Sequence, residues 1–147
     1  MNVDFAQLVD GIGDGVVVSD TKGTIAYWNA SAERIFGFSQ QEALGASLDI
    51  IIPERFRERH WDGYFNTVKT GETRYGTELL RVPALNQEGQ TISIAFTVAL
   101  HYDENKEVNG VIAVVRDETE RYREERRLKN RLATLEAASA EKGQAEE

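Results

Sequence analysis

The strongest pattern in the chain is an alternation. Ile92, Ile94, Phe96, Val98 and Leu100 are apolar, and Thr91, Ser93, Ala95, Thr97 and Ala99 separate them. Successive side chains of a strand point to opposite faces, so residues 91–100 read as a strand with one strongly apolar face. The turn residues Asp103-Glu104-Asn105-Lys106 follow it, and Val108 to Val115 reads as the last strand. The turn Asn86-Gln87-Glu88-Gly89 precedes it. Before that turn, 76–85 is a β-like run in which Pro83 marks an edge, a bulge or the strand's end, because proline lacks the N–H of a ladder. Near the N-terminus, Val16-Val17-Val18-Ser19 and Thr24 to Trp28 flank the turn Asp20-Thr21-Lys22-Gly23 and read as a hairpin.

Helical signals fill the remainder. Val3, Phe5, Leu8, Val9 and Ile12 fall at mostly helical spacing and predict a short amphipathic helix over 3–12. Asn29 and Ser31 are N-cap residue types ahead of Ala32 to Phe36, and Gly37 can close that helix. Ser39-Gln40-Gln41-Glu42 has the form of a capping box, and Gly45 ends the short helix it opens. Pro53 suits a first helical turn, which predicts a helix from Glu54 to Lys69 stopped by Gly71. From Asp117 onward the chain is highly charged and helix-favouring. Leu128, Leu132 and Leu135 follow the 4-3 spacing of a coiled-coil seam, though over a short span. Residues 141–147 are expected to fray. The order is two strands, three helices, three strands and a long helix. It predicts an α+β domain with one antiparallel sheet and helices on one face. The expected division is an N-terminal cap helix at 1–13, a domain at 14–117 and a C-terminal helix with a frayed tail at 118–147.

Composition narrows the chemistry. The chain has 147 residues, 41% hydrophobic and 29% charged, enough for one core plus an appendage. It has no cysteine, which removes disulfides, thiolate metal sites, cysteine nucleophiles and thiol-attached chromophores together. No run approaches the roughly 18 apolar residues of a membrane helix, and no basic region followed by an apolar stretch opens the chain. The expectation is a cytoplasmic protein without a membrane partner. Nearly all of the net charge of −8 lies ahead of Arg116, so the body repels phosphate backbones and anionic lipid, and no nucleic-acid partner is expected. There is no glycine-rich phosphate loop, no Ser-His-Asp order and no metal-ligand spacing, and His60 and His101 lie far apart without a partner motif. No enzyme is expected. A chain of this kind acts by binding or dimer rearrangement, or its helix 117–140 leads to an effector.

Five blocks, in order, carry a family likeness. They are Gly15-Val16-Val17-Val18-Ser19-Asp20, then Gly23-Thr24-Ile25-Ala26-Tyr27-Trp28-Asn29, then Ala32-Glu33-Arg34-Ile35-Phe36-Gly37-Phe38, the segment Ser39 to Gly45, and the closing Val115-Arg116-Asp117-Glu118-Thr119. With these blocks the chain resembles a PAS domain over 5–117. The resemblance implies a sensory fold: a five-stranded antiparallel sheet whose concave face and helices enclose a small pocket, with output through the helix after Asp117 and Thr119. Both of these residues are capping types that can hold the strand-to-helix junction.

The segment Pro53-Glu54-Arg55-Phe56-Arg57-Glu58-Arg59-His60, followed by Tyr64, resembles the helix that carries the proximal histidine in haem-PAS oxygen sensors. Pro53, Arg57 and His60 reproduce that family's spacing, and Thr70-Gly71-Glu72 continues it. The resemblance implies a small ligand or haem b in the pocket, with His60 as the iron ligand if haem, sensing a gas or redox state. Phe56, Tyr64, Ile94, Phe96 and Val98, with Ile52 and Ile92, would line the pocket, and Arg74 would approach a propionate. Two positions depart from the family. Leu80 stands where oxygen-sensing kinases place a distal arginine, with Arg81 facing the other way, and Glu78 stands where a related sensor has methionine.

Two other readings stay open. One is a cofactor-free PAS module for dimerisation or protein interaction. The other is a non-covalent flavin sensor, in which Trp28 could reach the flavin; the cysteine-dependent photochemistries are excluded. For Trp61 the expectation is a dimer surface or helix–sheet packing. A homodimer is expected through the apolar face of 3–12 and the leucine seam, with an effector domain or signalling protein downstream.

Overall fold

The computed structural model describes residues 1–73 and 77–146. Its strands are β1 (Gly15–Asp20), β2 (Ile25–Trp28), β3 (Leu80–Leu85), β4 (Thr91–Tyr102) and β5 (Val108–Asp117). They form one antiparallel sheet in the order β2-β1-β5-β4-β3. The helices are α1 (Phe5–Gly11), α2 (Ala30–Phe36), α3 (Gln40–Ala43), α4 (Arg57–Thr70) and α5 (Thr119–Glu146). The chain divides into two compact units, Met1–Asp117 and Glu118–Glu147.

The predicted alternation sets the inner face of the sheet. Register places Phe96 beside Val115, Val98 beside Ala113 and Leu100 beside Val111, and β1 continues the layer with Gly15, Val17 and Ser19. Helix α2 lies directly on this face: a Cβ added at Gly15 would come within 3.3 Å of the Ala32 Cα. Trp28 and Phe36, both fully buried, pack with ring centroids 5.3 Å apart. The Trp28 indole N–H donates to the Phe38 carbonyl, so its one polar atom is satisfied.

Asn29 is the polar hinge of the N-terminal half. It is fully buried. Its Oδ1 accepts from the backbone N–H of Val16 at 2.8 Å and of Ala32 at 2.9 Å. Its Nδ2 donates to the carbonyls of Val9 at 2.9 Å and Asp14 at 3.0 Å. One side chain thus caps α2 and ties it to α1 and to the start of β1.

Several elements differ in extent from the sequence reading. α1 is shorter than 3–12, capped by Asp4 and ended where Ile12 turns extended. The helix read from Glu54 begins as a 3-10 turn over Glu54–Phe56 before α4 proper. A further 3-10 turn, Leu48–Ile51, is capped by Ser47. β3 begins at Leu80, and Pro83 falls in this edge strand, where a missing N–H costs no ladder bond on the open side. The Ser39–Glu42 capping box forms in full. The second unit carries the ion pairs Arg121–Glu118, Arg121–Glu125 and Arg127–Glu124. Leu128, Leu132 and Leu135 are 54%, 57% and 58% exposed on it. Among the described residues, no helix is long and apolar enough to cross a membrane.

Candidate sensory site

α4 lies across the inner face and brings three aromatic side chains to one place. The 3.6-residue period puts Trp61 and Tyr64 on the side that meets β1 and its turn. Tyr64 is buried. Its hydroxyl lies 2.7 Å from Ser19 Oγ and donates to the Asp20 carbonyl. Burial pushes the Tyr64 phenol above its ordinary pKa; the Ser19 hydrogen bond opposes this and the Asp20 charge adds to it. Trp61 covers the turn between β1 and β2. A Cβ at Gly23, whose φ is +83°, would sit 2.1 Å from the Trp61 ring. The Trp61 indole N–H donates to Asp49 Oδ1 at 2.7 Å, and Phe65 stacks on its outer side at 5.4 Å.

His60 sits in this cluster. Its ring meets Trp61 edge-on at 4.7 Å and leans on Tyr64 at 5.6 Å. Its Nδ1 is buried and has no hydrogen-bond partner among the described residues. Burial holds its pKa below the ordinary 6.5, against the pull of the nearby Asp49 carboxylate. Asp49 gathers the other polar contacts. Besides Trp61, it lies 3.9 Å from Arg57 Nε, and its backbone carbonyl accepts from Arg57 Nη2. Arg57 also donates to the Ile52 carbonyl. The Arg57–Asp49 ion pair is two-fifths exposed on both sides, so screening leaves it a small contribution and the turn 48–51 is held chiefly by hydrogen bonds.

The remaining residues singled out from the sequence fall into several groups. Ile92 and Ile94 are buried, Phe96 and Val98 are half-buried against the same core, and Leu80 stands opposite Phe96 in register. Ile52 packs on that core as well. These form one apolar wall of β3 and β4. Phe56 is half-buried, with the Arg55 guanidinium 4.7 Å above its ring. Pro53, Glu54 and Arg55 border a shallow open depression closed by Leu85 and Thr91. Glu78 and Arg81 are exposed. Arg74 lies outside the described residues. Asp117 closes β5, and Thr119 opens α5. Trp28 lies in the core, and Trp61 is a helix–turn packing residue.

A haem needs an open slot between the histidine-bearing helix and the sheet. Here the His60 ring lies against Trp61 and Tyr64. Tyr64, placed by resemblance on the pocket wall, fastens α4 to β1 through its hydroxyl. Of the residues that complete the cluster, Ser19, Asp20 and Gly23 are marked in the sequence only as strand and turn positions, and Asp49 has no local signal. Each acts on a side chain at least 12 residues away.

The family model described as the PAS fold matches residues 4–117. A protein of Azorhizobium caulinodans, described as uncharacterized, is 32% identical over 127 residues, covering 86% of this chain and 17% of its own length. The sensor protein FixL of Bradyrhizobium diazoefficiens is 38% identical over 64 residues, 44% of this chain and 12% of its own length. The chain thus spans less than a fifth of the length of these curated relatives. The crystal structure of a PAS domain from Colwellia psychrerythraea superposes with a TM-score of 0.69 at 24% identity, covering 79% of this chain and 95% of the other.

Proposed function

Because the chain belongs to the PAS family, we propose that residues 4–117 are the sensory and docking module of a larger cytoplasmic signalling protein and relay their state to α5. One observation carries this reading: the course of β5. It lies at the centre of the sheet, paired with both β1 and β4, and only Glu118 separates its end from α5. A shift of α4 against β1 or β5 therefore acts on the strand that continues into the output helix. Asp117 and Thr119 are the residues that hold that junction. The module carries out no reaction of its own; it changes the packing of an effector downstream.

The output form we propose is a homodimer. The three leucines of α5 keep more than half of their surface in solvent, at the spacing by which one helix pairs with a second copy. Replacing Leu128, Leu132 and Leu135 together by alanine is expected to shift the protein to monomer in analytical ultracentrifugation. An unchanged mass would remove α5 from the interface.

The pocket is read as cofactor-free, on the packing of the His60 ring against Trp61 and Tyr64. Haem ligated by His60 is the alternative, favoured by the unpartnered His60 Nδ1 and by the Pro53–Arg57–His60 spacing. Mixing the purified protein with hemin and desalting it separates the two. The expected result is protein without a haem absorption band. A stoichiometric band that His60→Ala abolishes would establish the alternative.

A further inference from the structure

The charged side chains that flank the leucine seam of α5 form a second pattern. With Leu128 and Leu135 at heptad position d and Leu132 at a, Glu124 and Arg131 fall at g, and Lys129 and Glu136 fall at e. All four are exposed. Among the described residues, Lys129, Arg131 and Glu136 enter no ion pair, and Glu124 pairs with Arg127 where both side chains are more than half exposed. The seam continues toward the start of the helix as Glu118, Arg121 and Glu125. Arg121 joins the other two within one chain, at 3.7 and 3.3 Å. These charges offset one another there, and the apolar part of the seam begins at Leu128.

We propose that the e and g side chains of α5 select as partner the α5 of a second copy, parallel and in register. In a parallel pair, a g side chain faces the e side chain of the partner's next heptad. Glu124 then meets Lys129 of the second copy, and Arg131 meets its Glu136. The two-fold axis repeats both contacts, so attractive pairs flank three layers of leucine on leucine. Antiparallel pairing sets a against d and keeps only two such layers. Centred between 128 and 132, it places Leu135 against Glu125 and Lys129 against Lys129. Centred between 132 and 135, it keeps Lys129 on Glu136 but places Leu128 against Ser139. A helix with a different e and g pattern meets like charges at these positions, so the same side chains reject foreign seams. This pairing rests on the homodimer proposed above. It adds the direction, the register and the residues that choose the partner, and it starts both output helices at the same end.

The chain has no cysteine, so a single introduced one reports the register. Ser139 lies on the seam at position a, one turn beyond Leu135. The whole chain carrying Ser139→Cys, treated with oxidised glutathione, is expected to give a disulfide-linked dimer. A parallel register sets the two residues in one layer, inside the limit of about 7 Å between Cα atoms. Either antiparallel centring separates them by at least about 16 Å along the axis. A dimer that depends on the three leucines but does not cross-link would overturn the register and leave the homodimer standing. A chain that sediments as a monomer overturns both. Arg131→Glu tests the charges. It turns the contacts with Glu136 into repulsions and is expected to weaken the dimer about tenfold at low ionic strength. Adding Glu136→Lys should restore it. An Arg131→Glu dimer as tight as the native one, or no recovery in the double variant, refutes selection by these side chains.

Discussion

Asn29→Ala is expected to destabilise the protein by about 4 kcal/mol, a large share of the roughly 5–15 kcal/mol that holds a domain folded. As a helix cap alone, an asparagine contributes about 1 kcal/mol. The larger figure comes from what the substitution leaves behind. The N–H groups of Val16 and Ala32 lose Oδ1 in a buried setting, and each unsatisfied buried group costs about 2 kcal/mol. The carbonyls of Val9 and Asp14 lie nearer the surface and can turn to water. Asn29→Ser separates the contributions. A serine can still cap α2, but it is too short to span to Val9 and Asp14, and it should recover only about 1 kcal/mol. Urea unfolding followed by circular dichroism gives both values. A full rescue by serine would mean that the cap is the whole role of Asn29.

Gly23→Ala is expected to cost about 3 kcal/mol, for two separable reasons. A side chain at φ +83° pays the left-handed penalty of about 1–2 kcal/mol. The new Cβ would also fall 2.1 Å from Trp61 Cη2 and Cζ3, so the ring must leave the turn and give up its bond to Asp49, worth about 1 kcal/mol. Gly45 supplies the control. Its φ is +84° and nothing lies within 4 Å of an added Cβ, so Gly45→Ala should show the backbone penalty alone. In a Trp61→Ala background, Gly23→Ala should fall to the Gly45→Ala value. If the cost of Gly23→Ala is the same with and without Trp61, the ring does not rest on this turn.

Local chemistry made most of the fold legible before the structure. The alternation at 91–100 is legible because Ile92 and Ile94 are buried and Phe96, Val98 and Leu100 pack on the same core, although Ala95 on the opposite face is fully buried as well. The Ser39–Glu42 capping box and the edge position of Pro83 follow from single hydrogen bonds that a few neighbouring residues decide. The turn 48–51 was not legible: Leu48-Asp49-Ile50-Ile51 has no period, and its shape depends on Ser47 and on Arg57 reaching back to it. The site was legible in its residues but not in its arrangement. His60, Tyr64 and Trp61 could be placed on a helix from sequence, but their neighbours come from β1, its turn and the segment near Asp49. No pattern along α4 distinguishes a histidine facing a cofactor from one wedged between two aromatic rings. Asn29 could be read as a cap because a cap is local. Its bonds to Val9, Asp14 and Val16 depend on the return of the chain.

The place of β5 in the sheet also governs how the chain comes to be folded. β1 and β5 lie side by side, yet Gly15 and its partner Val115 are about 100 residues apart. The centre of the sheet is therefore assembled from the first and last strands of the domain, and closing so long a loop slows folding. While the chain is being synthesised, the β1–β2 hairpin waits with an unpaired edge that is prone to wrong partners. A product ending short of Val108 would lack the middle of the sheet rather than a peripheral strand. Each copy must be complete to Asp117 before its core can close.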